Sequence, residues 1–278
     1  MAQRPISKLS WALLAAGFVF LYAPMVILVI YSFNESRLVT VWAGFSTKWY
    51  RELFNNRQMM EAAWRSFEIA FLTATASVLL GTLAALVMTR FRNFRGRTAF
   101  TGMVTAPLVM PEIITGLSLL LLFVSIQDWL GGRGMLTIWI AHVTFTVAFV
   151  TVVISSRLQE MDVSLEDASM DLGANRVKTF FAITLPIISP SLISGWLLAF
   201  TLSLDDLVIA SFVSGPSSTT LPMVVFSSVR LGVSPEINAL ASLLILAVSS
   251  AAVLGWFLSW RGDRRRQRDI QMAQQQGD

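Results

Sequence analysis

The segment from Met135 to Ser155 reads MLTIWIAHVTFTVAFVTVVIS, 21 residues without Asp, Glu, Lys or Arg. At about 1.5 Å per residue, a helix of this length crosses the roughly 30 Å of hydrocarbon in a bilayer. The whole chain of 278 residues is also apolar: 55% of its residues are hydrophobic, only 14% are charged, and the mean hydropathy is +0.65. Soluble domains carry about a quarter charged residues. The composition therefore argues against a soluble enzyme and predicts a polytopic helical membrane protein.

Six apolar segments of this kind predict an all-α fold with six transmembrane helices. They are Trp11–Tyr31, Phe67–Thr89, Thr101–Ile126, Met135–Ser155, Ser191–Val213 and Ile237–Trp260. We expect an N-terminal helix with an extracytoplasmic segment in residues 1–65, and a core of five helices in residues 66–260. A basic cytoplasmic tail is expected in residues 261–278.

The distribution of basic residues predicts the orientation of these helices. All 21 Lys and Arg lie outside the predicted spans, 14 on one face and 7 on the other when successive segments alternate between sides. The positive-inside rule then places both termini in the cytoplasm. In the long extracytoplasmic segment, apolar residues alternate with charges, which predicts a short amphipathic helix; they are Trp49, Leu53, Phe54, Met59 and Met60. This helix either lies on the membrane surface or packs against the bundle.

Four acidic residues lie inside predicted spans that contain no basic residue: Glu68 at the start of the second span, and Glu112, Asp205 and Asp206 deeper in the third and fifth. A carboxylate at the bilayer centre costs about 2.5–3.5 kcal/mol. The compensating positive charge would come from water, another subunit or a cationic cargo; alternatively, these acids lie near extracytoplasmic water or are protonated. Pro107 and Pro111 precede Glu112 and predict a kink. The kink either lines a cation path or only serves helix packing.

The cytoplasmic segment of residues 156–190 is too long for a simple turn and too polar for lipid. Within it, Ser164–Asp167 predicts a capping-box helix start, and Gly173 predicts the end of that helix. Arg176–Thr184 predicts a second short helix that ends at Pro186. A helix, a glycine turn and a helix on the cytoplasmic side form a module suited to docking onto another protein.

This segment resembles the EAA loop of ATP-binding-cassette (ABC) importer permeases, whose pattern is E-A-A-x3-G-x9-I-x-L-P. The corresponding residues are Asp167, Ala168, Ser169, Gly173, Ile183, Leu185 and Pro186. Asp167 and Ser169 depart conservatively from the Glu and the second Ala of the pattern. In that family the loop is a coupling helix that fits a groove of the ATPase subunit. The resemblance therefore implies a coupling role for these residues and the neighbouring Glu166.

The resemblance extends from about Trp11 to Trp260. Residues 106–112 (APLVMPE) and 202–212 (LSLDDLVIASF) look like the polyamine branch of these permeases. Residues 214–222 and 234–240 are most similar to its putrescine permease subunits, although spermidine/putrescine subunits share much of the pattern. The resemblance implies the type I ABC importer permease fold in the bacterial inner membrane, surrounded by lipid.

The same resemblance implies a transporter subunit and not an enzyme. Its cargo would be a polyamine, putrescine or alternatively spermidine, and a diamine with two positive charges suits acids without basic partners. Glu112, Asp205 and Asp206 are thus the candidate substrate path. The implied partners are a second permease subunit, two ATPase subunits and a periplasmic polyamine-binding protein.

No cofactor is expected in this chain. ATP and Mg²⁺ would bind the partner ATPase, because the chain contains no G-x-x-x-x-G-K-[ST] phosphate-binding loop. With no cysteine, it has no disulfide or cysteine-ligated metal site. Nucleic acid is not an expected partner, since the basic clusters flank spans and already serve topology and lipid contact.

Other function classes fit the sequence less well. An intramembrane serine protease would pair Ser118 with the single histidine, His142, but the glycine expected after such a serine is Leu119. A self-sufficient secondary transporter would be expected to show internal repeats, and it leaves the loop of residues 156–190 unexplained. Dependence of transport on an ATPase partner discriminates between these alternatives.

Overall fold

The computed structural model describes most of the chain, and its regular elements are helical. The described residues are 7–38, 41–91, 93–232, 234–250, 253 and 257. One isolated antiparallel bridge, between Asn34 and Phe45, is the only β-type pairing within these ranges. The prediction of an all-α fold is confirmed.

The described residues contain twelve helices. In chain order they are α1 (Lys8–Tyr31), α2 (Lys48–Asn55), α3 (Arg57–Arg90), α4 (Arg97–Val109), α5 (Glu112–Ser125), α6 (Gln127–Leu130), α7 (Met135–Glu160), α8 (Ser164–Asp171), α9 (Arg176–Leu204), α10 (Val208–Val213), α11 (Leu221–Leu231) and α12 (Pro235–Ser250). Backbone contacts group the described residues into two units. One contains the residues up to Arg57 and those from Ser228 onward, and the other is Gln58–Ser227.

Four of the described helices, α1, α3, α7 and α9, are long and apolar enough to cross a bilayer. Helices α4 and α5 pass the same test together but meet at an angle of 115°. The predicted span Thr101–Ile126 is therefore broken and not merely kinked. Pro111 lacks an N–H, and its ring disfavours the helical conformation at Met110, which is extended with φ −79° and ψ 133°. Pro107 lies inside α4 without interrupting it.

Helix α9 is continuous over 29 residues, so the prediction that Pro186 ends a short helix was wrong. A π-helical segment, Phe180–Thr184, is separated from this proline by Leu185 alone. Its last bond runs from the N–H of Leu185 to the carbonyl of Phe180, five residues earlier. The helix therefore changes its hydrogen-bond register next to the residue that cannot donate one.

The predicted fifth span, Ser191–Val213, also differs from the structure. Helix α9 ends at Leu204, and α10 begins at Val208 after a break of three residues. The predicted sixth span, Ile237–Trp260, corresponds in its described part to α12, an apolar helix of residues 235–250. Residues 258–260 and the predicted basic tail, residues 261–278, lie outside the described residues.

In the first unit, the predicted amphipathic helix is α2 in its first part only, because α2 ends at Asn55 and the predicted members Met59 and Met60 lie in α3. In α2, Trp49 and Leu53, four residues apart, are buried, whereas Phe54 is exposed. The Trp49 indole N–H donates to the carbonyl of Asn34 at 2.6 Å, and the Tyr50 hydroxyl lies 2.7 Å from that of Ser32. These bonds attach α2 to the segment after α1, so packing within the unit explains its apolar face. Helix α1 buries none of its residues, which leaves its apolar surface for lipid or another subunit.

In the second unit, α7 is the central helix and small residues bring its neighbours close. A Cβ added to Gly81 of α3 would lie 2.8 Å from Val150 of α7, and one added to Gly195 of α9 would lie 3.3 Å from the same side chain. Such close approach is typical of membrane helices, which gain packing where side chains are small. The hydroxyls of Ser77 and Thr146, 2.7 Å apart, join α3 to α7.

Candidate functional site

The break between α9 and α10 places the two adjacent aspartates in different surroundings. The Asp206 carboxylate accepts the backbone N–H groups of Ala210 at 2.8 Å and Ile209 at 3.3 Å, which caps the first turn of α10. Its side chain is only 6% exposed. Asp205 is exposed and ends α9, where its own N–H bonds to the carbonyl of Thr201. Asp206 is thus part of the scaffold, and Asp205 presents the free carboxylate.

Asp206 has a hydrogen-bonding partner within the chain, contrary to the prediction. The Nε2 of His142 on α7 lies 3.1 Å from its carboxylate, and Nδ1 lies 2.7 Å from the hydroxyl of Ser203 on α9. Both ring nitrogens are therefore occupied by residues of the break. Ser118 is exposed on α5 and is not a partner of this histidine. The protease dyad considered from the sequence is not formed.

Glu112 begins α5 directly after the bend at Pro111, and its side chain is exposed. A carboxylate in the first turn of a helix is stabilised by the helix dipole. Helix α5 packs closely on α10, since a Cβ added to Gly116 would lie 2.8 Å from the Phe212 ring and 3.4 Å from the Cα of Ile209. The two interrupted spans therefore contact each other through the short helices that follow their acidic residues.

The second group of predicted residues lies in the loop between α7 and α9. Helix α8 begins without the predicted capping box: the Asp162 carboxylate accepts the Ser164 N–H at 2.9 Å. This bond lowers the pKa of Asp162 below its ordinary 3.8. Glu166, in the first turn of α8, takes no part in this cap, and its carboxylate makes contacts elsewhere.

Glu166 forms a two-pronged ion pair with Arg90 at the end of α3. The Arg90 Nε and Nη2 atoms donate to its two oxygens at 2.9 and 3.1 Å, and the Thr184 hydroxyl donates to Oε1 at 2.7 Å. The third Arg90 nitrogen, Nη1, donates to the carbonyl of Leu158 in α7 at 3.2 Å. With side chains 19% and 14% exposed, this pair connects α8 to three long helices.

Gly173 ends α8 as predicted, in a left-handed conformation with φ +87°. Its N–H bonds to the Met170 carbonyl at 2.9 Å, and the Ala174 N–H bonds to the Ser169 carbonyl at 3.2 Å. This is the Schellman arrangement, in which glycine takes the left-handed position. A Cβ built on Gly173 would meet nothing within 4 Å, so the turn faces open space.

The outer surface of this loop is apolar. Leu172 is 91% exposed, and it lines a shallow hollow together with Ala168, Ile183 and Lys178. Asp167 and Pro186 are exposed and Leu185 is half-buried. On its inner side, the loop borders a cavity of about 640 Å³ that contains the Arg90–Glu166 pair and apolar side chains of α3 and α9. Two exposed leucines, Leu165 and Leu172, line the same hollow, and an exposed apolar patch favours contact with another protein.

A family model described as the inner membrane component of binding-protein-dependent transport systems matches residues 77–267. This chain belongs to that family. It is 61% identical to the putrescine transport system permease protein PotI of Escherichia coli K12, over 98% of this chain and 99% of that protein. It is 44% identical to the spermidine/putrescine transport system permease protein PotC of Haemophilus influenzae, over 87% of this chain and 93% of that protein.

The fold agrees with this membership. A crystal structure of a bacterial ABC transporter involved in the import of the acidic polysaccharide alginate has a chain that matches with a TM-score of 0.69. The match covers 91% of this chain and 97% of that chain at 14% identity. The chain is therefore a multi-pass inner membrane component with the ABC importer permease fold, a transporter subunit and not an enzyme.

Three side chains that contact the candidate residues of this permease were missed from the sequence: Arg90 and Thr184, which bond to Glu166, and His142, which bonds to Asp206. Arg90 was counted only among the charges that set topology, and a lone histidine in an apolar helix is usually structural. A signal for His142 was nevertheless present, because a polar residue in a transmembrane helix needs a hydrogen-bonding partner.

Proposed function

We propose that this chain is the permease subunit of an ATP-driven putrescine importer. The observation that carries the proposal is the 61% identity, over nearly the full length of both chains, to a putrescine transport system permease. A spermidine-preferring importer is the second candidate, favoured by the 44% identity to a spermidine/putrescine permease. Both cargoes are polyamines that carry several positive charges.

In this importer, Asp205 and Glu112 are the acids that face the cargo. Both residues are exposed at a break in a span. Asp205 directly follows the end of α9, and Glu112 is the first residue of α5 after the bend. They lower the barrier to passage of a cation, and loose contact suits transport because tight binding slows release. Asp206 serves the path indirectly, since its carboxylate is used to cap α10.

The loop between α7 and α9 is the coupling loop, and its partner is an ATPase subunit. Helix α8, the exposed Leu172 and the Gly173 turn form the docking surface, while the Arg90–Glu166 pair connects that surface to the spans. A second permease subunit, two ATPases that bind ATP and Mg²⁺, and a periplasmic polyamine-binding protein complete the importer. Both termini are cytoplasmic.

The deciding experiment is uptake of labelled putrescine and spermidine by cells that lack this subunit alone, with and without the restored gene. Loss of putrescine uptake with spermidine uptake retained supports the first candidate, and the reverse supports the second. Restored uptake in cells that also lack the ATPase would show a self-sufficient transporter and contradict the proposal.

We predict that Asp205→Asn lowers putrescine uptake about tenfold, which corresponds to a barrier raised by about 1.4 kcal/mol. The amide keeps the size of the side chain but loses its attraction for a cation. Membrane abundance is expected to be unchanged because Asp205 is exposed. Asp128→Asn, at an exposed acid of α6, is the control and should transport normally. Unchanged uptake by the Asp205 variant would show that this acid is a rim residue.

Topology is tested by reporter fusions. Fusions after Arg97 and Arg268 and within residues 160–178 are predicted to report the cytoplasm, because these segments carry the excess of basic residues. Fusions near Lys48 and Arg230 are predicted to report the periplasm. A periplasmic signal near residue 170 would contradict the coupling role of α8.

A further inference from the structure

His142 is the one histidine of the chain. It lies beside the break between α9 and α10, and only 2% of its surface is exposed. We propose that His142 is a positioning residue for transport: it fixes the break between α9 and α10 so that Asp205 points to the open side. This inference rests on the proposed function, because Asp205 is there the cargo-facing acid. It assigns a role to a residue that does not itself touch the cargo.

For a neutral ring, the hydrogen bonds fix which nitrogen carries the proton. The Asp206 carboxylate is an acceptor, so Nε2, at 3.1 Å, is the donor nitrogen. Neutral imidazole has one donor and one acceptor, so Nδ1 accepts the Ser203 hydroxyl proton at 2.7 Å. A neutral histidine thus satisfies every polar atom of this chain of contacts. Neither nitrogen is left for a further ligand.

The bonds join both sides of the break. Ser203 lies in the last turn of α9, and Asp206 caps α10 through the N–H groups of Ile209 and Ala210. One ring therefore holds the end of one helix and the start of the next at a fixed separation. Only Leu204 and Asp205 lie between these attachment points, so the backbone changes direction at these two residues. Holding Asp206 inward leaves Asp205 on the opposite, exposed side.

The helical turn that carries His142 is attached to α3 through Thr146. The Thr146 hydroxyl donates to the backbone carbonyl of His142 at 2.8 Å and lies 2.7 Å from the Ser77 hydroxyl of α3. Buried polar networks in which each member is satisfied are rigid and specify one arrangement. This network therefore fixes the position of the break relative to α3 and α7.

The chain contains no cysteine, so Asp205→Cys gives the subunit a single thiol whose accessibility can be measured directly. The assembled importer in membrane vesicles is treated with 2-aminoethyl methanethiosulfonate, a cationic thiol reagent, and the labelling rate of this subunit is followed. In the background of His142→Leu, which removes both ring nitrogens, we expect the rate to fall about tenfold, equivalent to about 1.4 kcal/mol. His142→Gln, which retains a donor near the Nε2 position, is expected to recover most of the rate.

The control is Thr151→Val on the same helix. Thr151 is buried, and its hydroxyl bonds only to the Val147 carbonyl of its own helix, so labelling should be unchanged. Normal abundance with unchanged labelling in His142→Leu would overturn the inference. If His142→Leu fails to accumulate, Ser203→Ala removes one attachment and should slow labelling to a smaller extent; unchanged labelling there would overturn the inference equally. Labelling does not depend on the cargo, so its result is separate from that of the proposed function.

A transport measurement then distinguishes positioning from general destabilisation. If His142 acts through Asp205, His142→Leu should lower putrescine uptake in the natural background but add little to Asp205→Asn. If the two substitutions acted independently, their fold losses in putrescine uptake would multiply, since changes at uncoupled sites are additive in free energy. Multiplied losses at equal abundance would contradict the positioning role.

Discussion

Gly173→Arg is expected to reduce putrescine uptake to the level of a strain without this subunit, while the subunit still accumulates in the membrane. The residue has φ +87°, a conformation that costs an L-residue about 1–2 kcal/mol. The turn is nevertheless open, since an added Cβ meets nothing within 4 Å. The arginine side chain is therefore accommodated by the isolated chain and extends into the space where the ATPase would dock.

Two further substitutions separate backbone strain from obstruction. Gly173→Asn is the matched control, because asparagine tolerates the left-handed conformation and has a short side chain; we expect it to retain most uptake. Gly173→Ala introduces only the backbone strain. The measurements are membrane abundance, ATPase retained on purification and putrescine uptake. Normal uptake by the arginine variant would contradict the docking role, and loss of abundance in all three variants would leave glycine with a folding role alone.

The features that were predictable from the sequence depend on local rules. Membrane-spanning helices follow from the length of apolar runs, since an 18- to 20-residue segment has few other stable states in lipid. The end of α8 at Gly173 follows from the preference of glycine for positive φ. Helix α2 follows from apolar residues four positions apart, Trp49 and Leu53. Each feature needs only residues that are close in sequence.

The features that were not predictable depend on contacts between distant residues. Glu166 and Arg90 are 76 positions apart, and each had a sufficient local explanation, as a helix-start acid and as a topological charge. The difference between Asp205 and Asp206 arises because His142 on another helix binds only one of them. Pro186 was predicted to end a helix because a proline breaks the usual bonding pattern. The π-helical register before it, which removes that conflict, has no evident local signature.

Breaking the Arg90–Glu166 pair is expected to uncouple the loop from the spans. Removing one partner of a buried ion pair costs about 3–5 kcal/mol, and because these side chains are partly exposed we expect the low end of that range. Glu166→Ala leaves Arg90 with the Leu158 carbonyl and releases Thr184. Helix α8 then keeps its docking surface but loses its attachment to α3 and one of its two side-chain bonds to α9; the other, between the hydroxyls of Ser169 and Thr179 at 3.2 Å, remains. We predict at least a tenfold loss of putrescine uptake, because raising the transport barrier by about 1.4 kcal/mol lowers the rate tenfold.

The control is a nearby ion pair that the structure leaves in solvent. Arg157 and Glu160 are 3.2 Å apart on α7, with side chains 42% and 68% exposed, and such pairs contribute about 0–1 kcal/mol. Glu160→Ala should therefore transport normally. The exchanged pair, Arg90→Glu with Glu166→Arg, restores opposite charges and is expected to recover part of the uptake lost by either single change. If Glu166→Ala transports like Glu160→Ala at equal abundance, the ion pair does not couple the ATPase to the spans.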